Sequence, residues 1–226
     1  MLFNLIRSGN LRDMFIGLLL GLPAVIICLS FHETAHGLVA YWLGDRTAKA
    51  SGRLTLDPMA HIDPWGFVCM LLLGFGWAKP VPINISNLKN RRVGMGLVAA
   101  AGPFANFLMA IAAYMAAIAL QIHTSTGTSS NFIYILCLFC QYIGAMSTGL
   151  GVFNLLPIHP LDGSRILDAI LPLRAQARYQ AFMQRYASVI MLIVVGFLWI
   201  GGLSWLIIAA QNLVTQLAWM ILQLFI

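Results

Sequence analysis

Long apolar runs separated by short polar stretches dominate the chain. Three runs, 14–43, 93–120 and 132–156, are each long enough to cross a bilayer, since about 20 helical residues suffice. A further apolar region, 187–226, is divided by Gly201-Gly202, which predicts either two helices or one helix and a surface helix. Because a helix satisfies its own backbone hydrogen bonds in lipid, the pattern predicts an all-α polytopic membrane protein.

A shorter apolar stretch, 65–78, is too short for an ordinary spanning helix and is typical of a re-entrant or interfacial segment. The polar, turn-rich stretch 44–64 comes before it. Within that stretch, the weak alternation of Gly52–Leu56 predicts a short strand. The small residues around Gly102 permit close helix approach, and Pro103 is a residue that can break the second long helix.

Composition and charge agree with this picture. The chain is 60% hydrophobic and only 9% charged, whereas soluble domains carry roughly a quarter charged residues. The net charge is +6, but no basic run with interleaved aromatic residues is present, so nucleic-acid binding is not expected. Basic residues instead mark cytoplasmic loops at 44–64, 79–92 and 163–186, which places the N-terminus outside.

We expect one membrane-embedded domain over 1–226, with a core at about 14–170 and a C-terminal helical region at 187–226. In this topology the segment 65–78 enters and leaves the bilayer on the cytoplasmic side. The C-terminal end of the first long helix faces the same side.

The first run contains His32, Glu33 and His36, spaced as H-E-x-x-H. Histidines four residues apart lie on one face of a helix, where both can reach one metal ion. A carboxylate beside them can deprotonate a metal-bound water. Titratable groups inside a membrane helix are costly, so these residues are candidates for a functional site.

An open tetrahedral zinc site needs a third protein ligand. The candidates in or near apolar segments are His61, His159, Asp162 and Asp168. Asp162 is preferred because it follows a helix end interrupted by prolines, and Gly163 permits a tight turn that directs the carboxylate back into the bundle.

Several motifs in order along the chain resemble those of the site-2 protease family of intramembrane zinc metalloproteases. They are H-E-T-A-H at 32–36, A-G-P-F-A-N at 101–106 and N-L-L-P-I-H-P-L-D-G at 154–163. Two further stretches resemble the compact prokaryotic branch that lacks a PDZ domain: 52–58 together with 61–64, and 76–82. The resemblance covers about residues 25–170.

The resemblance implies a role for each matching residue: one Zn²⁺ bound by His32, His36 and Asp162, Glu33 as general base, Asn154 holding substrate backbone or the oxyanion, and Asn106 supporting it at the substrate-binding site. The substrates would be transmembrane proteins, cleaved in a prokaryotic inner or plasma membrane with the active site toward the cytoplasm. A separate regulatory partner or a homo-oligomer stays open. Thr34 and His159 depart from the family pattern.

Two other functions fit part of the pattern. A metal or ion transporter would line a path with buried histidines and carboxylates, but it gives Glu33 no reason to lie between two histidines. A catalytically inactive membrane scaffold would not need the intact set of His32, Glu33, His36 and Asp162. Metal content and a cleavage assay distinguish the three.

Overall fold

The computed structural model describes residues 11–73, 76–125 and 130–225. A short 3₁₀ helix covers Ile85–Asn87, and the α-helices are α1 (Leu11–Trp42), α2 (Thr47–Ala50), α3 (Pro58–His61), α4 (Pro64–Leu73), α5 (Arg91–Ser125), α6 (Asn131–Asn154), α7 (Asp162–Ile170), α8 (Leu173–Trp199) and α9 (Ser204–Leu222).

The all-α polytopic architecture is confirmed. Five helices, α1, α5, α6, α8 and α9, are long and apolar enough to cross a membrane. The last apolar region forms two helices, and Gly201, between them, has a φ of +78° that suits glycine. Among the described residues, β-pairing outside helices is one antiparallel bridge between Ile62 and Ala78.

The interior of the bundle consists largely of small and polar side chains. α1, α5 and α6 pack against one another, α7 packs on α5, and α9 covers α5 and α6. The buried positions include the alanines Ala24, Ala40, Ala99, Ala110 and Ala117. Large apolar side chains such as Leu19 and Leu213 lie on the outside. This arrangement lets helix backbones approach closely in lipid and turns polar groups inward.

The stretch Gly52–Leu56 is not a strand, contrary to the prediction. Gly52 has a φ of +67°, which turns the chain immediately after α2. The carbonyl of Thr55 accepts hydrogen bonds from side chains instead of a neighbouring strand. Local side-chain bonding therefore replaces the ladder that the alternation suggested.

The helices differ from the sequence pattern at two further places. Pro103 does not break α5, which continues to Ser125 with the proline fully buried inside it. The polar stretch 163–186 is mostly helical, because α7 and the first turns of α8 occupy it. Its Arg, Gln and Ala residues are good helix formers, so the low hydrophobicity of the stretch does not make it an irregular loop.

The residues on either side of α4 lie next to each other. Ile62 precedes α4 and Ala78 follows it, and the two pair across the β-bridge. The Lys79 N–H donates to His61 O at 2.8 Å in the same region. α4 has 10 residues, too few to span a bilayer. A short helix whose flanking residues pair with each other agrees with the re-entrant prediction.

Candidate metal centre

Three side chains from two distant parts of the chain meet inside the bundle. His32 Nε2 and His36 Nε2 are 3.0 Å apart, and Asp162 Oδ2 lies 3.1 and 3.2 Å from them. All three residues are buried. In the described part of the chain they form the one group of three or more His, Cys, Asp or Glu side chains close enough to hold a metal ion.

The geometry and the donor set fit zinc. Ligands of a tetrahedral zinc with bonds of about 2.0–2.1 Å are about 3.3 Å apart, close to the separations seen here. Asp162 Oδ2 is buried and makes no hydrogen bond of acceptable geometry, although two imidazole nitrogens are near. Acceptor atoms that converge without a donor between them suit a cation.

A backbone carbonyl fixes the second histidine. His36 Nδ1 lies 2.7 Å from Val98 O on α5, so Nδ1 carries the proton and donates it. Nε2 is then left with its lone pair directed at the other two ligands. Val98 is five residues before Pro103, in the part of α5 that packs against α1.

A side-chain amide fixes the first histidine. The Asn106 amide lies 3.1 Å from His32 Nδ1, and Asn106 Oδ1 has no hydrogen-bond partner. The oxygen and nitrogen of an amide are interchangeable in shape, so a 180° flip is an equivalent placement. A metal-binding His32 requires the flip, because Nδ1–H then donates to Oδ1 and frees Nε2 for the metal.

Gly102 lets α5 approach the two histidines. A Cβ at this position would lie 2.5 Å from both His32 Cε1 and His36 Nε2. No other residue type fits there without displacing an imidazole. The close helix approach predicted for these small residues therefore occurs at the candidate metal centre itself.

Asp162 is the first residue of α7, and Leu161 before it is extended. The chain between α6 and α7 is non-helical over 155–161, as the prolines predict. Gly163 has a role that differs from the predicted tight turn: its φ is not positive. A Cβ on Gly163 would instead overlap the carbonyls of Leu155 and Leu156, so the glycine allows α7 to start against the end of α6.

Glu33 is held by the backbone of the segment that follows α4. Its Oε2 accepts a hydrogen bond from the Val81 N–H at 3.0 Å. Val81 is buried and has a proline on each side, which leaves its N–H as the one backbone donor at positions 80–82. One carboxylate oxygen of Glu33 is therefore held in place by a backbone donor.

A cavity of about 570 Å³ lies beside the three ligands. The residues that line it include the three ligands, His32, His36 and Asp162, and also Glu33, Asn154 and Arg165. Asn106 does not line it and contacts a ligand instead. The Asn154 amide donates to Leu150 O at 3.0 Å, within its own helix.

Sequence reasoning missed Arg165, the cation that lines this cavity. Its signal was its position three residues after Asp162, which places both on one face of α7. The Val81 N–H was also missed. It is a backbone group and leaves no side-chain signature.

The other candidate ligands lie elsewhere. His159 lines a second cavity, of about 560 Å³, with Ser188 and Leu192 on α8. His61 Nε2 lies 2.7 Å from Thr55 O. The Asp168 carboxylate accepts from Gln180 at 3.2 Å. None of the three alternatives belongs to the group at the metal centre.

Two comparisons with known proteins find relatives of this chain. A family model described as peptidase family M50 matches residues 120–198, which include Asp162. The chain is 37% identical over 161 residues to the "Putative zinc metalloprotease YwhC" of Bacillus subtilis (strain 168), a match that covers 68% of this chain and 70% of that protein. No solved structure matches the chain significantly.

A helical multi-pass membrane protein with a buried His₂Asp group and a neighbouring glutamate falls in the class of membrane metallopeptidases. The chain belongs to peptidase family M50, the site-2 protease family, and its cofactor is zinc.

Proposed function

We propose that this protein hydrolyses peptide bonds within or near transmembrane segments of other membrane proteins, with Glu33 as general base. The observation that carries the proposal is that the zinc ligands and Glu33 line one cavity inside the helical bundle. A proteolytic site at this position is reached most directly by a substrate that is itself in the membrane.

Zinc bound by His32, His36 and Asp162 would lower the pKa of a bound water and polarise the scissile carbonyl. The free carboxylate oxygen of Glu33 takes a proton from the attacking water while Val81 N–H holds the other oxygen. The water oxygen adds to the carbonyl carbon, the C–N bond breaks, and Glu33 passes the proton to the leaving nitrogen.

Arg165 is assigned to the substrate carbonyl oxygen, where negative charge develops. Asn154 lines the same cavity and would contact the substrate backbone after releasing Leu150 O. A substrate helix must unwind locally before its carbonyl reaches these groups, because helical carbonyls are already hydrogen-bonded.

We further propose that the protein lies in a prokaryotic inner or plasma membrane with this site toward the cytoplasm. Lys89 N–H donates to Leu43 O, which joins the end of α1 to the start of α5. Arg92 Nε donates to Asp168 O on α7 at 3.3 Å, on the same side of the bundle. Basic residues concentrated at one end favour its placement in the cytoplasm.

The test is Glu33→Gln in purified protein. We expect about one zinc per chain to remain and cleavage of a model transmembrane substrate to fall by at least about a thousandfold, because the base is lost while the ligands stay. Asp57→Asn is the matched control, since Asp57 is exposed and caps α3. Normal cleavage by Glu33→Gln would refute the mechanism, and zinc flux into liposomes without proteolysis would favour a transporter.

A further inference from the structure

Thr34 lies inside the H-E-x-x-H motif but contacts the stretch between α2 and α3. Its Oγ1 is 2.6 Å from Thr55 O and 2.7 Å from Ser30 O, so its single proton can serve either carbonyl. His61 Nε2 donates to the same Thr55 carbonyl at 2.7 Å. Two side chains, one from α1 and one from α3, therefore meet at one backbone oxygen.

His61 connects this point to the segment after α4. Its imidazole is 2% exposed, and its own backbone oxygen accepts from Lys79 N–H at 2.8 Å. The next residue, Ile62, pairs with Ala78. Arg53 Nη2 donates to Lys79 O at 2.8 Å. The backbone at 78–79 is thus held by Arg53, His61 and Ile62.

The same segment ends at Glu33. Val81, two residues after Lys79, donates its N–H to Glu33 Oε2, and its side chain packs close to Gly37 on α1. Prolines at positions 80 and 82 restrict the backbone between these anchors. A chain of contacts therefore leaves α1 at Thr34 and returns to α1 at Glu33, the neighbouring residue.

We propose that Thr34 and His61 are positioning residues that set the geometry of the Glu33 carboxylate through the 78–81 backbone. This inference rests on the proposed function, in which Glu33 is the general base. It assigns a role to the threonine at a position where the family pattern differs, and it explains why a buried histidine outside the metal group is present.

The experiment compares Thr34→Val, which removes the hydroxyl at constant shape, with Thr34→Ser, which keeps it. We expect Thr34→Val to lower kcat about tenfold to a hundredfold, with KM and zinc content within about twofold of wild type. Thr34→Ser should stay within about threefold of wild type in kcat. Unchanged kcat in Thr34→Val, or equal losses in both variants, would overturn the proposal.

A double variant separates positioning from general structural damage. Once Glu33→Gln has removed the base, adding Thr34→Val should cause no further loss of the residual rate. A loss of the same factor in both backgrounds, or a parallel loss of zinc, would show a structural role and reject the inference.

Two variants of His61 provide an independent test if Thr34→Val fails to fold. His61→Gln retains a donor for Thr55 O and should keep most of the activity, whereas His61→Leu should lower kcat with zinc retained. Full activity of Glu33→Gln would refute the proposed function itself. An inactive Glu33→Gln beside fully active Thr34→Val and His61→Leu would refute this inference alone.

Discussion

The chain buries two kinds of histidine site, and their surroundings differ. His32 and His36 are 3% and 6% exposed, and His61 is 2% exposed, so burial does not separate them. At the metal centre each Nδ1 has a partner, and the Nε2 atoms converge with Asp162 Oδ2. His61 places Nε2 against a backbone carbonyl, and its Nδ1 meets no pair of further ligand atoms in the described residues.

Buried carboxylates show the same contrast. Asp45 is fully buried, and its oxygens accept from Asn84 N–H, Thr47 and Asn87. Asp162 Oδ2 has nitrogen neighbours without hydrogen-bond geometry. A metal centre is therefore recognised by acceptors that face one another, whereas a structural polar group faces donors or a carbonyl.

The largest effect should come from removing the third ligand. Asp162→Ala leaves two histidines, too few for a stable zinc site, so zinc content and cleavage should both fall to background. Asp168→Ala on the same helix is the matched control and should keep zinc and activity. If Asp162→Ala retains both, the assignment of the centre is wrong, and His159→Ala becomes the next measurement.

Gly102→Ala should have the next largest effect. The new methyl would displace an imidazole, so we expect zinc affinity to drop about a hundredfold or more, measured by competition with a chelator. Gly149→Ala in α6 is the control, because a Cβ there meets nothing within 4 Å. Similar zinc binding in both variants would contradict the close packing of α5 on the ligands.

Substitution of Asn106, the hydrogen-bond partner of His32, should have a smaller effect on zinc binding. Asn106→Leu removes the acceptor that sets the imidazole tautomer and should weaken zinc binding about tenfold to a hundredfold. Asn106→Asp keeps an acceptor and should stay close to wild type. Weaker zinc binding by Asn106→Asp than by Asn106→Leu would reverse the assigned direction of this hydrogen bond.

The smallest effect is expected at Asp45, which serves stability alone. Burial raises the pKa of its carboxyl, but hydrogen bonds from Thr47, Asn87 and Asn84 outweigh burial and lower the pKa below its ordinary value. Its contribution is therefore complete above about pH 4 and is lost as the pH falls through the folded-state pKa. Asp45→Asn should destabilise by about 1–2 kcal/mol at neutral pH.

The midpoint of thermal unfolding in detergent, followed between pH 7 and about pH 3, checks this prediction. The difference between Asp45→Asn and wild type should shrink as the solution becomes acidic. A difference that stays constant across this range would show that the charge of Asp45 contributes nothing. At neutral pH, Asp45→Asn should hold as much zinc as wild type.

The sequence predicted what depends on side-chain pattern. Apolar run length predicted the spanning helices, and the spacing of His32 and His36 predicted a shared face. It did not predict that Pro103 lies inside a continuous helix, because helices packed around a proline compensate for the lost hydrogen bond. Nor could it predict the Val81 donor, since a backbone N–H is common to nearly all residue types and only the fold selects one.

The candidate metal ligands also have a mechanical consequence. His36 and Asp162 are separated by most of the chain, and α7 follows a non-helical stretch that is not fixed by helix geometry. Zinc would therefore act as a cross-link that closes a loop of well over a hundred residues and holds α7 against α1. Chelation should free the start of α7 first, as faster proteolysis near residues 155–161 in the apoprotein than in the zinc form.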